Sequence, residues 1–157
     1  MPDLLPFPVY IVPREPHPYR SPEGEAWLAE MCRKVAGGAD YQQIIEENGH
    51  LMPDADGESD DEYPRARSEC TEFKALHDQA MGSAKHAMLS GKSLPDTAAH
   101  FSIRAEPDLH SLAMFAAERI GAPRVRRGED FSAVKKALGI DPYGKAVQVL
   151  VEAMPDD

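Results

Sequence analysis

The sequence predicts a mainly α-helical protein, an irregular bundle of five to six helices with an extended proline-rich N-terminal arm and room for one or two short strands. Three observations point there: apolar residues recur at helical spacing, segment starts carry serine, aspartate and proline, and segment ends carry glycine. At 157 residues the chain can bury roughly two-thirds of the surface its unfolded form exposes. A single helical domain over 21–157 is therefore expected, following an arm over 1–20.

The arm carries prolines at 2, 6, 8, 13, 16 and 18, which exclude helix. Between them, Val9-Tyr10-Ile11-Val12 favours extended backbone and suits a short edge strand. Its apolar residues, Leu4, Leu5, Phe7, Val9, Tyr10 and Ile11, need cover. They find it either on this chain's own helices or in a partner's groove or sheet.

Ser21-Pro22-Glu23 combines a capping hydroxyl, a proline suited to the first helical turn and a negative charge at the positive end of the helix. It predicts a helix over 22–36, with Trp27, Leu28, Met31 and Val35 on one stripe and Gly37-Gly38 as its stop. Asp40 and Gln43 have capping-box spacing, and Tyr41, Ile44 and Ile45 line a short helix ending at Asn48-Gly49. Residues 51–64 then hold Asp54, Asp56, Glu58, Asp60, Asp61 and Glu62, six acids with almost no apolar neighbours, which predicts a solvated loop.

A long helix is expected over 65–90, where Phe73, Leu76, Ala80, Ala84, Ala87 and Met88 keep helical spacing, with Gly82 as a place for a kink and Gly91 as the cap. The stretch His100 to Ala105 reads as a short strand or as part of a helix beginning near Asp96. Pro107-Asp108 opens a helix with Leu109, Leu112, Ala113, Ala116 and Ile120 on one face, closed by Gly121 and Pro123. Past the basic patch Arg124, Arg126 and Arg127, Asp130 caps a short helix with Phe131, Val134 and Leu138, ended by Gly139. Asp141-Pro142 then starts a last helix whose apolar face is Val147, Leu150, Val151 and Met154.

The 27 acidic residues outnumber the 17 basic ones, for a formal net charge of −10. Such a field repels phosphate backbones and anionic membranes and attracts cationic protein faces. No direct contact with nucleic acid or membrane is expected. Cys32 and Cys70 both fall in helical patterns and read as buried free thiols, which favours a reduced, cytoplasmic setting. The first residues lack a basic segment followed by an apolar run, so no secretion signal is read there.

Motifs for chemistry break down on inspection. Gly91-Lys92-Ser93 ends like a phosphate-binding loop, but His86 stands where the first glycine belongs and a helix precedes it. Asp54, Asp56 and Glu58 have the spacing of the first calcium ligands of an EF-hand, but Gly57 is at loop position four, Ser59 takes the turn and Arg65 replaces the bidentate glutamate. The histidines at 17, 50, 77, 86, 100 and 110 include no pair four apart, and Cys70 and His77 lie two turns apart on a helix. No metal, cofactor or catalytic residue is assigned. Residues 21–48 have the outline of a helix-turn-helix, yet the second helix adds Glu46 and Glu47 and offers no lysine or arginine to phosphates.

The function expected is a non-catalytic acidic interaction protein that binds a basic surface of a partner protein. An inhibitor or immunity-type protein acting on a nucleic-acid-processing enzyme is one form, and a subunit of a larger assembly is another. The contact residues expected are Asp54, Asp56, Glu58, Asp60, Asp61 and Glu62, with Arg124, Arg126, Arg127 and Tyr10. Two alternatives stand beside it: a small metal-dependent or carboxylate/histidine enzyme, and a DNA-binding regulator.

Overall fold

The computed structural model describes residues 7–14, 21–47 and 62–155, with side chains described throughout except at 62–73. The described chain is all α. Its helices are α1 (Pro22–Ala36), α2 (Tyr41–Glu47), α3 (Glu62–Leu89), α4 (Leu94–Phe101), α5 (Glu106–Phe115), a π-helical segment (Ala116–Gly121), α6 (Ala122–Arg126), α7 (Phe131–Leu138) and α8 (Gly144–Ala153). Because α5, the π segment and α6 run on without a break, these make seven separate rods among the described residues, against the five to six expected. No described residue is in a strand. No described helix is long and apolar enough to cross a membrane.

The chain forms two compact units: the described residues of Val9–Ser83, and those of Ala84–Asp157 with Phe7 and Pro8. In the first unit α1 forms where the sequence predicts it. Ser21 Oγ accepts the Gly24 N–H at 2.9 Å, and Leu28, Met31, Cys32 and Val35 are buried, while Trp27 is half-buried. Asp40 Oδ1 accepts the N–H groups of Gln42 and Gln43, which starts α2 and lets it bury Tyr41 and Ile44. The α3 helix begins at Glu62, so Glu62 and Pro64, expected in the acidic loop, belong to its first turn, where a proline needs no amide partner. It continues through Gly82 to Leu89 and buries Leu76, Ala80, Ala84, Ala87 and Met88.

In the second unit, residues 94–101 settle as helix. Ser93 Oγ accepts the Asp96 N–H, and Ser102 ends α4 in the left-handed region at φ 57°. The strand considered for His100 to Ala105 does not form: His100 and Phe101 complete α4, and Ile103 to Ala105 are neither helix nor strand.

The helix opened at Glu106 does not stop at Gly121 and Pro123 as the sequence suggested. Pro123 lacks an N–H, and in a regular helix its ring would press on the carbonyl one turn back. The chain widens to a π turn instead, with the Ala122 N–H reaching the Ala117 carbonyl, and Pro123 then sits in the first turn of α6. Gly121 is kept for a different reason. A Cβ there would lie 2.6 Å from Leu150 Cδ2 and 2.9 Å from Leu138 Cδ1, so its hydrogen permits the close approach of α7 and α8 to the π segment.

Asp130 and Gly139 cap α7 as expected, with Asp130 Oδ2 accepting the Ala133 N–H at 2.9 Å. The last helix starts later than Asp141-Pro142, at Gly144, and Asp141 is 3.3 Å from Lys135 Nζ. Its buried face is Ala146, Leu150 and Ala153. Val151 and Met154, expected inside, are exposed, because the face of α8 that meets the π segment is the one carrying Ala146, Leu150 and Ala153, with Leu150 against Gly121.

Candidate functional site

Of the expected contact residues, Asp54, Asp56, Glu58, Asp60 and Asp61 lie outside the described residues, and Glu62 is described only as the first backbone position of α3. The basic patch follows the helix end that Gly121 and Pro123 suggested, which would place it in a loop between helices. Arg124 and Arg126 instead occupy α6 and Arg127 is its C-cap, where positive charge suits the negative end of a helix. Arg124 Nε donates to Glu129 Oε1 at 2.9 Å, and Arg127 Nη2 lies 3.5 Å from Glu129 Oε2. One carboxylate thus serves two of the three guanidinium groups, which reduces the patch's charge toward a partner.

Tyr10 belongs to the most organised polar arrangement among the described residues. The arm from Val9 to Arg14 alternates exposed and covered, the pattern of extended backbone, although no strand pairs with it. The expected edge strand finds a helix side chain instead. Gln79, 1% exposed on α3, accepts the Val12 N–H on its Oε1 at 3.0 Å and donates from Nε2 to the Tyr10 carbonyl at 2.6 Å. Its second amide hydrogen goes to Ser83 Oγ at 2.7 Å, and the Ser83 hydroxyl donates to the same Tyr10 carbonyl at 3.1 Å. Every polar group of this buried cluster therefore has a partner, which offsets the burial of amide and hydroxyl on an otherwise apolar helix face.

Gly82 completes the cradle. Val12 Cγ2 sits where a Cβ of residue 82 would fall, 2.4 Å from that position, so only glycine lets the arm lie this close. Gly82 thus marks a close approach where the sequence suggested a kink, and Gln79 and Ser83 hold the arm without belonging to any motif. Their signal was nonetheless present: polar residues at 79 and 83 interrupt an apolar stripe at the spacing of one helical turn.

The arm also borders a groove of about 370 Å³ walled by Ile11, Val12, Pro13 and Arg14 and by Glu25, Ala29, Cys32 and Arg33 of α1. Arg14 Nη1 lies 2.7 Å from Glu25 Oε2, a close charge contact whose angle is poor for a hydrogen bond. Cys32 is buried at the groove's base, as its sequence pattern suggested.

The second unit offers a shallower depression of about 470 Å³ around Phe115. Lys85 Nζ and Arg119 Cζ each lie 5.4 Å from the centre of the Phe115 ring, and His110 at its edge is 3.3 Å from Glu106 and packs edge-on against Tyr143. Glu118 shares the lining and opposes part of the positive charge. In the same unit Phe7 stacks on His100 with ring centres 4.0 Å apart and 4° between planes, and Lys92 Nζ stands 4.6 Å over the Phe7 ring. Burial, aided by the Lys92 charge, lowers the His100 pKa from its ordinary value. Among the described residues no three histidine, cysteine, aspartate or glutamate side chains converge as a metal site would require.

No known protein family, curated protein or solved structure matches this chain.

Proposed function

We propose that the protein is a non-catalytic acidic interaction protein that binds a basic surface of a partner protein. The observation that carries the reading is the charge balance, a net of −10, together with how the described cations are used. Arg14, Lys74, Arg124, Arg127 and Lys135 each stand within ion-pair distance of a carboxylate of this same chain. Internal pairing thus consumes positive charge and leaves the acidic excess to face a partner. Asp54, Asp56, Glu58, Asp60, Asp61 and Glu62 concentrate that excess in sequence, with the Arg124, Arg126 and Arg127 turn as a lesser contact.

A nucleic-acid-processing enzyme has a cationic face of the required kind, and blocking it is one form this function takes. Membership of a larger assembly is the other. The test is purification of the tagged protein from its native host with identification of what co-purifies, followed by titration of that partner against Asp54, Asp56, Asp60 and Asp61 all changed to asparagine. The reading expects weaker binding and a shallower salt dependence in the variant. Unchanged affinity at low salt would overturn it.

A further inference from the structure

The arm has two edges, and the fold uses one. Tyr10 C=O and Val12 N–H face Gln79 on α3. In extended backbone the N–H and C=O of the residue between them point the opposite way, so those of Ile11 form the other edge. Among the described residues neither Ile11 nor Val9 makes a main-chain hydrogen bond, and the two residues are 46% and 68% exposed. Ile11 also lines the groove whose far wall is α1.

We propose that the groove between Ile11–Arg14 and α1 receives an extended segment of another protein that carries a carboxylate side chain. The guest strand pairs with the Ile11 N–H and C=O, in the manner of strand addition to an open edge. Its volume of about 370 Å³ falls in the range of ~300–1,000 Å³ typical of ligand sites. The chemistry of the walls selects the guest. Ala29 and Cys32 leave room for a small apolar side chain, and Arg14 is neutralised by Glu25. Arg33 is exposed and makes no ion pair among the described residues, so it is the charge left to be matched, and an acidic side chain matches it bidentately.

Two features disfavour a second copy of this chain as the guest. An antiparallel pair centred on Ile11 sets Val9 opposite Pro13 of the other copy, and Pro13 has no N–H to return. Two bodies of net charge −10 also repel. The inference is independent of the charge-based function above, since the guest here is locally acidic.

The test uses the full chain and a blocked peptide, acetyl-Ala-Val-Glu-Val-Ala-amide, followed by amide chemical shifts and fluorescence anisotropy. Ile11→Pro removes the edge donor and leaves the Gln79 bonds in place, and Arg33→Gln removes the cation from an exposed position. The peptide is expected to shift the Ile11 amide. Either substitution should weaken binding roughly tenfold or more, and a version with lysine for glutamate should bind correspondingly worse. Equal binding by Ile11→Pro, equal or tighter binding of the lysine peptide, or no binding of the glutamate peptide each overturns the proposal. Preference for the lysine peptide would leave the charge-based function standing while removing this one. A dimer in sedimentation that Ile11→Pro abolishes would replace the guest with a second copy and overturn the assignment.

Discussion

Gln79 serves Val12 as a neighbouring strand would, its Oε1 receiving the Val12 N–H at 3.0 Å from within a helix. The arrangement lets an arm with no strand beside it satisfy its inward-facing main chain. Gln79→Leu keeps the volume and removes both the acceptor for Val12 and the donor to Tyr10. A loss of about 1–3 kcal/mol is expected, since the arm's polar groups and Ser83 lose buried partners. The urea midpoint measures it, and faster proteolysis near the arm should accompany it. Wild-type stability in this variant would show that the amide contributes nothing net.

Gly82 provides a test in which the usual sign reverses. Glycine to alanine inside a helix ordinarily stabilises by about 1 kcal/mol. Here the added methyl meets Val12 Cγ2, so Gly82→Ala is expected to destabilise or to displace the arm. Trimming Val12→Ala in the same chain should recover most of the loss, and the coupling is read from the double-mutant cycle in urea.

At Gly121 the obstruction is a packed core instead of an arm. Leu150 and Leu138 occupy the space a Cβ would need, and both are buried. Gly121→Ala should therefore cost about 1–3 kcal/mol and lower the melting temperature. An unchanged or raised melting temperature would mean that the π segment and its neighbours part easily.

His100 gives a pH dependence with a definite sign. Its folded-state pKa is lowered, first by burial and then by Lys92, so the fold favours the neutral ring stacked on Phe7. In the unfolded chain the ring takes up its proton near the ordinary value of 6.5. The stabilisation is thus complete above that pH and is lost as pH falls through 6.5 toward the lowered folded value. Comparing urea midpoints across this window should show a decline in wild type that His100→Phe reduces. Equal slopes would remove His100 as its source.

Much of the secondary structure was legible because its determinants are local. Ser21-Pro22, Asp40, Asp130 and Gly139 each do their work within a single turn, through a side-chain oxygen or a left-handed glycine, and each was read correctly. Gly121, Val151 and Met154 were misread, since a glycine before a proline looks like a stop and a valine at helical spacing looks like core. Distant leucines on α7 and α8 decide the first, and the close approach to the π segment decides the others.

The site divides in the same way. The amino-acid sequence alone determines the acidic excess, the helical class and the arm's inability to be helical, since charge, helical periodicity and proline chemistry are properties of residues and their near neighbours. Tertiary structure alone decided that the partner of Val12 is an amide 67 residues away and which side of Ile11 stays open. Those are matters of which surfaces meet: the polar pair at 79 and 83 stands out on an apolar helix face, but nothing along the chain says which segment comes to lie on it.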